Sequence, residues 1–170
     1  MDNERFLSAE RENVFILLQF AALFSIAVLA PFIRVQLITG SIVNAILFLA
    51  VMLMGFRRAV IISTVPSLIS LTSGLLPLAF APLVPFIMIG NIILIITFDY
   101  LKKNYWLGVL AACFLKFIFL FGSSSLFIHS LVEQKLVSKA VMMFGGIQLT
   151  TAISGAIVAY YVLKYIKRNL

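Results

Sequence analysis

AVIISTVPSLISLTSGLLPLAFAPLVPFIMIGNIILIITF, residues 59–98, runs for forty residues without a charged side chain. One helix needs about 20 apolar residues to cross a bilayer, so this is two helices' worth. Its centre, Leu76-Pro77-Leu78-Ala79-Phe80-Ala81-Pro82-Leu83-Val84-Pro85, holds three prolines. Proline removes a backbone donor and disfavours helix at the residue before it. The stretch therefore reads as two membrane helices that meet in an apolar loop. It sets the expected fold class: all-α, with the bilayer as solvent.

Working outward, charges bound four more apolar runs. Spans are expected over about 13–33, 35–56, 59–76, 83–101, 105–128 and 140–163. The first closes at Pro31 and Arg34, the second at Gly55 and Arg57-Arg58, and the fourth at Asp99, Lys102 and Lys103. Glu133, Lys135 and Lys139 separate the fifth from the sixth. The acidic start of the chain (Asp2, Glu4, Glu10 and Glu12 against Arg5 and Arg11) lacks the basic region of a signal peptide. It reads as a cytoplasmic lead-in before a retained first span.

Composition agrees. Of 170 residues 63% are hydrophobic and 11% charged, against roughly 25% charged in an average soluble domain. The mean hydropathy is +1.15. Six spans use about 120 residues and leave about 50 for loops and ends. The expectation is one integral membrane domain over residues 1–170, multi-pass in the plasma membrane, with no room for a catalytic or ATPase domain.

The net charge of +7 is read as topology. With a cytoplasmic N-terminus, one side collects Arg5, Arg11, Arg57, Arg58, Lys102, Lys103, Lys164, Lys167 and Arg168, and the other Arg34, Lys135 and Lys139. Basic residues concentrate on the cytoplasmic side, which puts both termini inside. No nucleic-acid partner is expected.

Polar groups at membrane depth are costly and mark candidate sites. Asn44 lies about nine residues into the second span, Asn91 about eight into the fourth, Lys116 about eleven into the fifth and Gln148 about nine into the sixth. At 1.5 Å of rise per residue all four fall near the midplane. Each amide alone reads equally as interhelical glue. Lys116 is too deep to reach either interface, and no acid shares its depth. Such an ammonium needs compensation from elsewhere, and a bound anion is one source. Asn44, Asn91, Lys116 and Gln148 are the candidate substrate-binding residues.

Other chemistry finds little footing. Cys113 is the single cysteine and His129 the single histidine. Cys113 reads as a packing residue and His129 as an interface residue. No metal site, no cofactor and no catalytic residue is expected, and no nucleophile–base pair appears, so the chain is not read as an enzyme. Small residues at four-residue spacing, Ala21 and Ser25 in the first span and Thr151, Gly155 and Ala159 in the sixth, permit close helix approach.

Gly40-Ser41-Ile42-Val43-Asn44, Pro66 to Gly74, the proline-rich loop through Pro85, and Phe144 to Gly155 share a texture. With the length, the six spans and the small loops, they make the chain resemble the substrate-binding S component of energy-coupling-factor (ECF) transporters. That resemblance implies capture of a vitamin or metal ion from outside. It also implies docking, through the first helices, onto a transmembrane coupling protein that works with two ATPases. Docking on an Ala-xxx-Ala face would fall on Ala21-xxx-Ser25 here. Metal-importing members carry a histidine site at the N-terminus, which this chain lacks, so a small organic, vitamin-like metabolite is the implied substrate, and Lys116 favours an anionic one. The competing reading is a structural or accessory subunit of a larger membrane complex, with the polar residues as glue.

Overall fold

The first apolar run lies inside a longer helix. α1 spans Asp2–Leu29 and tightens into a 3-10 turn over Ala30–Ile33, begun by Pro31. The corner that follows is tied twice. Arg34 adopts a left-handed φ of 59° and donates its N–H to Pro31 O, and the Thr39 hydroxyl donates to Ala30 O over 3.1 Å. α2 then runs Gln36–Met54 and stops at Gly55, whose φ of 82° and ψ of 172° lie in backbone space open essentially to glycine alone.

α3 covers Phe56–Thr72 and α4 Val84–Leu101. The proline-rich segment between them is a loop with a 3-10 turn over Leu78–Leu83, as the three prolines demand. α5 covers Tyr105–Leu131. The sixth segment is broken: α6, Val137–Phe144, and α7, Gly146–Asn169, meet at Gly145. This computed structural model describes residues 2–131 and 134–169, without the side chains of residues 2–9, 12, 127–131, 136, 139 and 169. The expected positions of Glu133 and of the Arg5, His129 and Lys139 side chains therefore lie outside the described residues.

The chain is an all-helical bundle of six segments, with no strand among the described residues. Five of the segments are long and apolar enough to cross a membrane: Asn13–Ile33, Gln36–Met54, Leu78–Leu101, Tyr105–Leu126 and Ala140–Arg168. The third is the exception. α3 has 17 residues and ends four short of the expected position 76. Its second half carries Pro66, Ser67, Ser70 and Thr72, and the chain turns away at Gly74 with a φ of 76°. Each serine and threonine hydroxyl that bonds back to its own helix, such as Ser70 to Pro66 O, offers the backbone an alternative to continuing.

The tightest crossing is between α2 and α7. A Cβ added at Gly155 would lie 2.7 Å from both Ala45 N and Ser41 O, and one at Gly40 would lie 2.8 Å from Thr151 Cγ2. Thr151, Gly155 and Ala159 are all buried, so this small-residue face packs inside the bundle. The first-span pair does the opposite. Ala21 and Ser25 are exposed, and α1 instead buries Leu23 and Ala27. Around them Leu17 is 65% and Leu18 63% exposed. With exposed Leu110, Phe114 and Ile118 on α5, these side chains need an apolar solvent. The protein is a multi-pass membrane protein.

Most of the basic residues gather at one end. Arg58 borders a groove with Asn13 and Phe20 of α1, while Lys102, Lys103, Lys164 and Lys167 border another with Met52 of α2. The α2–α3 turn, the α4–α5 turn and the end of α7 thus share this end, and the α1–α2 and α3–α4 connections lie at the other.

Candidate ligand site

Lys116 sits at the centre of the bundle and is 2% exposed. Its ammonium donates to Asn44 Oδ1 at 2.7 Å and to Asn91 Oδ1 at 2.8 Å. Those two contacts join α5 to α2 and to α4. Three of the four depth-matched residues therefore touch directly, because antiparallel helices of equal rise bring equal depths together.

Each amide is itself held. Asn44 Nδ2 donates to Gly40 O at 2.8 Å and to Thr151 Oγ1 at 3.4 Å. Thr151 reaches it only because Gly40 and Gly155 let α7 lie against α2. Asn91 Nδ2 donates to Ser63 O at 3.3 Å. That carbonyl belongs to the α3 turn beside Pro66, which lacks the N–H that would have bonded Ile62 O. On the other side Gly90 leaves room for Leu120, which a Cβ would meet at 3.1 Å, and so seats α4 close to the helix that bears Lys116. Oδ1 of both amides is fixed toward the lysine because Nδ2 of both is already engaged.

The cluster forms the floor of a pocket of about 60 Å³, lined by Gln36, Thr39, Gly40, Val43, Asn44 and Gln148 from α2 and α7, and by Pro66, Ser67, Ser70, Leu75, Leu76, Ile87, Asn91 and Lys116 from the rest. α1 contributes none of these. Leu75 and Leu76 follow the turn at Gly74 and close the side nearest the α3–α4 connection. Gln148, the fourth expected residue, reaches the pocket without bonding the lysine. It is 9% exposed, and its side-chain amide has no hydrogen-bond partner among the described residues.

The pocket offers one sign of chemistry. Among the described residues no aspartate or glutamate lines it, and the only ion pair is Lys102 with Asp99, at an exposed site. An ammonium has three donors, of which two are taken, so one remains for the pocket. The Gln148 amide, the Gln36 amide and the Ser67 hydroxyl add polar groups with no hydrogen-bond partner among the described residues. Gln36 and Ser67 escape a reading by depth alone. Gln36 begins α2 at the mouth, and Ser67 sits in a serine-rich helix where each hydroxyl looks locally satisfied. Only the proline beside Ser67 marks that turn as unusual.

No protein-family model matches the chain, and neither a curated protein nor a solved structure matches it.

Proposed function

We propose that the protein is a substrate-capturing membrane subunit of an importer, of the kind its layout resembles. Its cargo is a small anionic metabolite whose carboxylate or phosphate sits on Lys116. One observation carries this reading: a fully buried ammonium, held on two neutral amides, keeps a free donor on a pocket with no acid among the described residues. Placing an anion there supplies the missing counter-charge in a medium where it is worth most. Asn44 and Asn91 position the ammonium, while Gln148 and Ser67 complete the polar lining. In this reading the chain is not an enzyme and holds no cofactor. The energy for transport comes from partner subunits, a coupling protein and ATPases, which dock on the exposed face of α1 about Ala21 and Ser25. The pocket lies away from the basic end, so the positive-inside rule points it outward, with both termini in the cytoplasm of a plasma-membrane protein.

The pocket's size limits the bound state. One water needs roughly 10–15 Å³ of such cavity space, so about 60 Å³ admits a few waters or a small anion. A larger metabolite requires Leu75 and Leu76 to move aside. The same small volume and the fully bonded amides favour a second reading, in which Lys116 is an interhelical clamp in an accessory subunit.

Thermal unfolding of the purified protein against a panel of small carboxylates and phosphates separates the two. A capture subunit is stabilised by at least one anion, and Lys116→Met abolishes that response. A clamp shows no anion response, while Lys116→Met changes the melting temperature itself.

A further inference from the structure

A second cavity lies at the opposite, basic end of the bundle. It measures about 340 Å³, is open to the surface, and is bordered by Lys102, Lys103, Lys164 and Lys167 with Tyr105 and Tyr160. Its volume falls in the range of ligand sites, about 300–1,000 Å³. The four lysines come from the α4–α5 turn and from two turns of α7, more than sixty residues away in sequence. Among the described residues one carboxylate, Asp99, compensates one of them, Lys102, at 2.8 Å. Lys103, Lys164 and Lys167 have no ion-pair or hydrogen-bond partner among the described residues. Three uncompensated ammonium groups thus face one volume, where they repel one another.

Two further features say what neutralises them. The groove lies at the start of α5, where the first backbone N–H groups of a helix are unsatisfied and attract anions. Asn104 Oδ1 accepts one of them, from Leu107, at 3.3 Å. Around the groove stands a sheath of rings: Trp106 packs on Tyr105 at 5.3 Å and on Tyr160 at 5.1 Å, and Tyr160 packs on Tyr161 at 5.8 Å. Trp106 is 45% and Tyr161 64% exposed. Exposed tryptophan and tyrosine at the end of a membrane bundle sit at headgroup depth. The groove is therefore level with lipid phosphates and opens where lipid is present.

We infer that the groove formed by Lys103, Lys164 and Lys167 beside Tyr105 and Tyr160 is a binding site for the phosphate of an anionic phospholipid from the leaflet at the basic end. Basic pockets between membrane helices recognise anionic headgroups in this way, each lysine near the surface adding about 1 kcal/mol, or about fivefold in affinity. The acyl chains lie along the exposed apolar faces of α5 and α7.

Trp106 is the single tryptophan of the chain, so its fluorescence reports on the groove directly. The full-length protein is reconstituted into phosphatidylcholine vesicles with a minority of brominated phosphatidylglycerol or brominated phosphatidylcholine. The expected result is several-fold preferential quenching by the anionic lipid, lost in Lys103→Gln/Lys164→Gln/Lys167→Gln and kept in Arg57→Gln/Arg58→Gln, which neutralises the same end outside this groove. Equal quenching by the two lipids overturns the proposal, and so does a preference that survives the triple substitution. Release of the anionic lipid by millimolar inorganic phosphate, at constant ionic strength, overturns the lipid assignment in favour of a soluble anion. All three lysines are exposed, so the triple variant is expected to keep the wild-type circular dichroism, and the Lys→Arg triple variant to keep the preference.

Discussion

Two groups of lysines sit in one bundle under opposite conditions. Lys116 is buried among five helices, held by two amides, with no acid beside it among the described residues. Lys102, Lys103, Lys164 and Lys167 stand at the rim, exposed, with one carboxylate among them. Position in the dielectric decides what each group can do. At the core a single charge is expensive, so its geometry is over-determined and its partners are fixed. At the rim each charge is solvated and contributes little by itself, so only their convergence on one groove carries specificity. The core suits one small anion held at short range, and the rim suits a mobile lipid phosphate.

Substitutions test that difference, and the largest effect belongs to the scaffold beneath the core. Gly155→Val drives a side chain into the α2 backbone at Ser41 and Ala45, in the segment that carries Asn44. Overpacking of this kind costs about 3 kcal/mol, and the melting temperature is expected to fall sharply while the equivalent change at the exposed Ala21 leaves it unaltered. Should both variants melt alike, the close α2–α7 crossing is not what fixes the site.

Next comes Asn91→Leu, which takes one acceptor from a buried ammonium and frees Ser63 O. Losing a partner for a buried polar group costs about 1–3 kcal/mol, whereas Lys103→Gln at the rim is expected to stay within about 0.5 kcal/mol. Chemical denaturation in mild detergent measures both. Comparable losses at the two positions would erase the distinction between core and rim.

Salt gives the smallest and most discriminating contrast. Raising ionic strength from 0.15 to 1 M shortens the screening length from about 8 to about 3 Å. Lipid preference at the rim should then fall several-fold, while anion stabilisation at Lys116, shielded from solvent, should change little once competition by the added anion is controlled for. If salt weakens both equally, Lys116 is reached by bulk water and the pocket is wider than 60 Å³ suggests.

Much of this was legible in the chain. Segment boundaries follow from charges and prolines, and α4 begins one residue from its expected position because Pro82 and Pro85 leave little choice. The depth argument selected Asn44, Asn91 and Lys116, and the structure puts them in contact. It failed to separate Gln148, which shares their depth but faces the pocket without bonding the lysine, because depth along an axis says nothing about rotation around it. It also passed over Ser67 and Gln36. The break at Gly145 and the short α3 went unseen for a related reason: hydropathy counts apolar residues and does not register where a helix loses its next hydrogen bond. The two small-residue faces look equivalent as spacings. One proved to be an internal crossing and the other an outward surface.

Sequence by itself determined the solvent of this protein, the number of its segments and the end on which its charge collects. These are sums over residues, and a sum does not depend on which neighbour a side chain meets. Tertiary structure alone decided that a lysine, two asparagines and a backbone carbonyl from four different helices share one centre, and that lysines from distant turns face one groove. Both depend on how the helices rotate and how closely they approach. Those quantities are set by the bonds and contacts between segments at Gly40, Gly90 and Gly155, where the absence of a side chain admits Thr151, Leu120 and the α2 backbone respectively.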